Sequence, residues 1–152
     1  MVFHLAQANL SLLRHPPSAP EVAEYASAVE RINALADRAP GFVWRTRVPV
    51  SDDERLVLNL SVWTSYQPLH DYTYRSAHGG FVRRRHRWFD SVRQPSTVLW
   101  WVPAGTQPTV EDGLARLRHL RRYGPSEKAF TVRTRYTPDG RREPSTGSGR
   151  LA

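Results

Sequence analysis

Between Leu56 and Trp63 the chain alternates with a period of two: Leu56, Leu58, Leu60 and Val62 are aliphatic, with Asn59, Ser61 and Trp63 between them. Successive strand side chains point to opposite faces. Residues 55–64 are therefore predicted to form a strand with one greasy face and one face of amide, hydroxyl and indole. Phe3–Leu13 alternates more loosely without breakers, and Phe42–Val50 reads as another strand behind Ala39-Pro40-Gly41. Val98–Val102 is a wholly apolar strand between Pro95 and Pro103, and Phe130–Tyr136 is a short last one.

Three stretches change to the helical period. In residues 19–38, Val22, Tyr25, Val29, Ile32 and Ala36 form a stripe, Ser18 and Glu21 have capping-box spacing, and Pro20 sits in the first turn. A second helix is predicted from Gln67 to Asp90, broken near Gly79-Gly80, where each glycine costs about 1 kcal/mol relative to alanine. Thr109 caps a third helix with the stripe Val110, Leu114, Leu117 and Leu120, stopped by Gly124-Pro125. Residues 137–152 have no apolar periodicity and are expected to be a disordered tail behind a domain of residues 1–136.

The resulting order, β-α-β-β-α-β with an added helix and strand, predicts an α+β, ferredoxin-like split β-α-β fold: an antiparallel sheet with helices on one face. The other face would carry Asn59, Ser61, Trp63, Trp44 and one of Trp100 and Trp101. Exposed aromatics on that scale call for a cover. Two copies closing face to face as a homodimer would supply it and enclose a hollow. On the element after Trp63, His70, Tyr74 and His78 recur every four residues, which stacks them on one stripe. A polar sheet face beside a His/Tyr stripe is the candidate pocket, with Trp44, Ser61, Tyr66 and Trp101 as its walls.

Composition narrows the chemistry. The 152 residues suit one domain with a real core, and the absence of cysteine excludes disulfides, thiolate metal sites and thiol nucleophiles. The segment MVFHLAQANLSLL lacks a basic lead and a small-residue cleavage site, and nothing approaches the ~20 apolar residues of a membrane span. A cytoplasmic protein without membrane partners is expected. The net charge of +8 comes from arginines, in particular Arg83–Arg87 and Arg116–Arg122, with Lys128 the only lysine. No zinc finger, helix-turn-helix or basic arm accompanies them, so a solvated helix face is expected rather than a nucleic-acid partner. His70 and Asp71 lie ~100° apart on a helix, so no metal site is expected. G-x-S-x-G, P-loop and G-x-G-x-x-G motifs are missing, which removes acyl hydrolases, P-loop NTPases and dinucleotide enzymes.

Six ordered segments carry a resemblance: GFVWR (41–45), NLSVW-S (59–65), YRS-H (74–78), RRR--WF (83–89), LWWVPAG (99–105) and YGPS--AFT (123–131). Together, over residues 3–136, they resemble an uncharacterised bacterial family that looks like the antibiotic-biosynthesis monooxygenases of the dimeric α/β-barrel superfamily. The resemblance implies a small monooxygenase without cofactor, acting on an electron-rich aromatic, polyketide-like metabolite that is deprotonated and itself reduces dioxygen. It also implies a site of Asn59 and Trp63, with a phenol from Tyr66, Tyr72 or Tyr74. His78 or His70 would be the base, imidazole being the side chain that titrates near neutrality. Asn59, the Trp63 N–H and a tyrosine hydroxyl would hold the oxyanion. The haem-degrading relatives imply an alternative: His78 as axial haem ligand and Arg83 with its neighbours receiving the propionates. A third reading is a non-catalytic ligand-binding dimer.

Overall fold

A computed structural model describes residues 1–75 and 85–144. β1 (Phe3–Leu13) lies at the centre of a five-stranded antiparallel sheet. β2 (Phe42–Pro49) pairs with β3 (Leu56–Trp63), and β3 pairs with β1 in a register from Leu5↔Trp63 to Leu12↔Leu56. Along the other edge of β1, β5 (Thr97–Pro103) takes Phe3–Asn9, and the short β4 (Phe89–Asp90) takes Leu12–Leu13. The architecture is α+β and ferredoxin-like, as the element order predicts.

The two faces of the sheet acquire different covers. Ala6, Ala8, Leu10, Leu58, Leu60, Val62, Val98 and Trp100 form one buried cluster with Leu117 and Leu120 of α3 (Val110–Tyr123). Gly113 lets that helix approach closely, since a Cβ there would lie 3.0 Å from a Leu60 methyl and 3.3 Å from the Ala8 Cβ. The alternate positions face α1 (Ala23–Arg38) and α2 (Tyr66–Arg75). Leu13 and Val57 pack with Tyr25 and Ala28 of α1, while Leu5 and Trp63 pack with Leu69 of α2. The sandwich of two copies expected to close the polar face is thus not what covers it. That face is closed within one chain by α1 and α2, and the added helix α3 takes the aliphatic face.

Local signals mostly act as predicted. The Thr109 hydroxyl accepts from the Asp112 N–H and the Asp112 carboxylate accepts from the Thr109 N–H, the reciprocal cap that starts α3. Gly124, with φ of 77°, ends it. The Ser18 capping box does not form: the entry to α1 is a 3₁₀ turn, Pro20–Val22, whose N-cap Ala19 receives the Val22 N–H on its backbone oxygen.

The second predicted helix does not run on to Asp90. It is described as far as Arg75, and its expected break at Gly79-Gly80 lies outside the described residues. Arg85–Arg87 form one 3₁₀ turn, and Phe89–Asp90 pair with β1 instead of continuing a helix. The cause is packing: the Trp88 and Phe89 rings sit 5.7 and 5.2 Å from the Tyr25 ring and are buried against α1. The last predicted strand is reduced to one pair, Phe130 exchanging both backbone hydrogen bonds with Leu99 before Thr131–Thr134 turns the chain away. Beyond it, part of the expected tail folds back. Tyr136 bridges Arg142, and Arg135 Nε donates to Glu143 at 3.2 Å. Among the described residues no helix is long and apolar enough to cross a membrane.

Candidate functional site

Covering a polar sheet face with helices leaves a hollow wherever the side chains stop short of one another. Here it has a volume of about 570 Å³ and lies between β1, β2 and β3 below and α1 and α2 above. That is within the usual range for a small-molecule site. Its floor is built by two parallel rows of alternate residues: Gln7, Asn9 and Ser11 on β1, and Asn59, Ser61 and Trp63 on β3, paired Gln7↔Ser61 and Asn9↔Asn59. Asn59 and Trp63 are four steps apart along the strand, so the two ends lie roughly 13 Å apart.

The end near Trp63 is aromatic. Trp63 is 1% exposed, its ring 5.4 Å from Phe42 in an edge-on contact and 5.3 Å from Tyr72. Its N–H donates to the Ser61 hydroxyl at 3.0 Å, and Ser61 donates to Gln7 Oε1 at 3.2 Å. The indole donor expected to hold an oxyanion is therefore already engaged, and Trp63 serves as a wall. Tyr66, His70 and Tyr74 follow at four-residue spacing along α2, with Tyr66–His70 and His70–Tyr74 ring separations of 5.8 and 4.8 Å. All three line the cavity. Tyr74 is 62% exposed and sits at the rim. His70 Nδ1 lies 3.4 Å from Asp71 Oδ1. The Arg135 guanidinium stacks 3.9 Å over the Tyr66 ring; burial raises that phenol's pKa and the arginine cation opposes the rise. Tyr72 is different. Its hydroxyl donates to the Ile32 carbonyl at 3.0 Å and burial pushes its pKa up to about 12, so it ties α2 to α1 and does not supply the phenol.

The other end is polar. Asn9 is satisfied, donating to Thr97 Oγ1 at 2.7 Å and accepting from Ser11 at 2.8 Å. The Asn59 side chain lines the cavity with no hydrogen-bond partner among the described residues. A buried or half-buried amide usually finds one. Beside it, Arg47 of β2 stands opposite Asn59 in the register and donates to the Tyr25 hydroxyl at 2.6 Å. Arg45 lines the cavity from the same strand, but is held by the Asp37 carboxylate through bonds of 3.0 and 3.1 Å.

Of the expected site residues, Asn59, Ser61, Trp63, Tyr66, His70 and Tyr74 come together here. Trp44 and Trp101 do not. Trp44 pairs with Val62 and packs on the aliphatic cluster of the opposite face. Trp101 donates to the Tyr136 carbonyl at 2.7 Å and is covered by the C-terminal segment. His78 and Arg83, on which the haem alternative rests, lie outside the described residues. No cluster able to hold a metal occurs among the described residues. Sequence reasoning missed Gln7, Asn9, Asn33, Tyr25, Arg45 and Arg47, all of which line the cavity. The β1 residues had a usable signal, because AQANLSLL alternates as LNLSVW does.

The chain belongs to the family described as Domain of unknown function (DUF3291), whose profile matches residues 4–146. No curated protein matches it. Among solved structures it is similar to SnoaB, a cofactor-independent oxygenase from Streptomyces nogalater. That pair is 19% identical, with 70% of this chain and 96% of the other covered, at a TM-score of 0.51. It is also similar to a protein from Nitrosomonas europaea described as a candidate antibiotic biosynthesis monooxygenase, at 10% identity, 69% and 94% coverage and a TM-score of 0.55. A conserved protein from Methanosarcina mazei Go1 is 12% identical over 66% of this chain and 92% of its own, with a TM-score of 0.51. At such identities the likeness is one of fold, and it agrees with the ferredoxin-like architecture above.

Proposed function

We propose that this member of the DUF3291 family is a small cofactor-independent monooxygenase acting on an electron-rich aromatic, polyketide-like metabolite. The observation that carries the reading is the Asn59 side chain, an amide with no hydrogen-bond partner among the described residues, lining a partly enclosed cavity whose other end is aromatic. Fold neighbours that include an oxygenase working without cofactor lend it support.

In this reading a flat fused-ring substrate lies along β3 against the indole of Trp63 and the rings of Tyr66 and Phe42. Its acidic methylene, flanked by two rings, loses a proton to His70. With Nδ1 turned toward Asp71, Nε2 is the nitrogen left to accept. The negative charge spreads to the substrate's ring oxygen, where the Asn59 N–H donates to it. A donor held in place before the charge develops stabilises it without reorganisation. The carbanion then reduces dioxygen. One oxygen atom becomes a new ring carbonyl and the other leaves as water with the two methylene protons, so the four electrons lost by carbon are those gained by O₂. The helical cover excludes bulk water from the reactive anion.

Oxygen uptake with 1,8-dihydroxyanthrone and metal-free protein tests the reading. One quinone formed per O₂ consumed, with rates reduced in Asn59→Ala and His70→Ala, is the expected result. No rate above buffer, or equal rates in both variants and the parent, overturns it.

A further inference from the structure

The polar end of the cavity has a charge distribution that the proposed chemistry does not use. Among the described lining residues there is no Asp or Glu, while Arg45, Arg47 and His70 are present. The residues outside the description, 76–84 and 145–152, contain no Asp or Glu either. Arg45 is neutralised by Asp37 through a two-bonded pair. Arg47 has no carboxylate partner among the described residues. Its side chain donates to the Tyr25 hydroxyl, with the guanidinium 5.2 Å from the centre of that ring. A guanidinium has five N–H donors in a fixed fork, so most of this one's capacity remains. Across the strand pair stands Asn59, also unpartnered among the described residues. Gln7, whose oxygen accepts from Ser61, keeps its amide N–H groups on the same floor.

A cation held in place by a phenol, beside spare amide donors and with no competing acid, matches a planar oxyanion. Arginine forks meet carboxylates with two parallel bonds. We propose that the natural substrate is an aromatic acid, and that its carboxylate is received by Arg47 at the end of the cavity away from Trp63, which leaves the Asn59 N–H to the ring oxygen. This rests on the aromatic-substrate reading and narrows it: the substrate's ring system reaches from the indole wall toward Asn59 and ends in an acid. Tyr25, buried against Trp88 and Phe89, positions the guanidinium.

The experiment uses two ligands that cannot turn over, anthraquinone-2-carboxylate and anthraquinone-2-carboxamide, titrated into the full chain while tryptophan fluorescence is followed. The acid is expected to bind about tenfold more tightly than the amide, the scale of one charge-assisted contact that stays partly hydrated. The preference should shrink with added salt, vanish in Arg47→Met, survive in part in Arg47→Lys and fall in Tyr25→Phe. Arg122→Met, on a helix remote from the cavity, should keep it in full, which separates the site from the general positive charge. Arg47 is exposed on an edge strand, and the Lys variant guards against a folding defect. Equal binding of acid and amide, a preference intact in Arg47→Met, or no saturable quenching by either ligand overturns the proposal. Because no oxygen chemistry is involved, a protein that binds the acid but consumes no O₂ keeps this site and loses the oxygenase. One that oxidises anthrones yet ignores the carboxylate does the reverse.

Discussion

The indole N–H of Trp63 and the hydroxyl of Ser61, two positions apart on one strand, are joined by a hydrogen bond of 3.0 Å on the floor of the cavity. Residues i and i+2 share a strand face, so alternation alone brings them together. Trp63 is 1% exposed, and its donor is satisfied by this bond. Ser61→Ala should therefore leave a buried N–H unpaired and cost roughly 1–3 kcal/mol. Urea unfolding should show this as a lower midpoint at unchanged slope, with the Trp63 emission altered in the folded state. An unchanged midpoint would mean that the indole finds another acceptor.

Asn59 and Asn9 face each other across β1 and β3 yet should respond oppositely to truncation. Asn9 bonds to both Thr97 and Ser11, so Asn9→Ala breaks a network and should destabilise the fold by about 1–2 kcal/mol. Asn59 gives up no bond within the described structure. Asn59→Ala should move stability by less than about 0.5 kcal/mol while lowering oxygen uptake on the order of a hundredfold, the scale of losing one oxyanion donor. A stability loss in Asn59→Ala as large as in Asn9→Ala would reassign that amide to a structural role.

Much of this site was legible in the chain because a strand announces its faces. The alternation that singled out Asn59, Ser61 and Trp63 holds in the structure, and the same alternation in Gln7, Asn9 and Ser11 carried equal information. Trp44 was misplaced for a definite reason: a bulge between Phe42 and Trp44 inserts one residue, so Phe42 faces Trp63 while Trp44 falls on the opposite face with Val62. Trp101 has the parity of the polar face, opposite Leu5, but a segment more than thirty positions later covers it. Local pattern holds no trace of that return. Nor could the stripe of α1 say which face it would occupy. Tyr25 and Ala28 pack as readily on Leu13 and Val57 as on the aliphatic face, and α3 takes the latter.

The alkaline limb of stability should report Tyr72. Burial holds its pKa at about 12 in the folded chain, against the ordinary value of 10.0. Above pH 10 the unfolded chain releases this proton while the folded chain keeps it. The native state then binds more protons, and stability present below pH 10 is lost as the pH climbs toward 12. Two units correspond to about 2.7 kcal/mol at most, and the partly hydrated ring brings the expected loss to roughly 1–2 kcal/mol. Tyr72→Phe should be less stable by about 1 kcal/mol at pH 8, for want of its bond to Ile32, but should decline less between pH 8 and pH 11. Parallel declines in urea midpoint for the two proteins would show that the phenol does not govern this limb.

Gly41 fixes where α2 begins, and hence the roof over the aromatic end of the cavity. Its φ is +80°, and its carbonyl accepts the Thr64 N–H at 2.8 Å, pinning the exit of β3 to the entry of β2. A Cβ at this position would stand 2.5 Å from the Pro68 ring carbons and 2.8 Å from the Thr64 hydroxyl. Left-handed backbone already costs a non-glycine residue about 1–2 kcal/mol. The proline ring is part of α2 and cannot swing aside as a long side chain would, so the helix itself must shift. Gly41→Ala should therefore destabilise by about 3 kcal/mol or more, adding overpacking to strain. The displacement carries Tyr66 and His70 with it. Binding of an anthraquinone probe should weaken in whatever fraction remains folded, measured where circular dichroism reports native helix content. If the probe binds Gly41→Ala as it binds the parent, the seat of Pro68 on Gly41 does not set the position of α2.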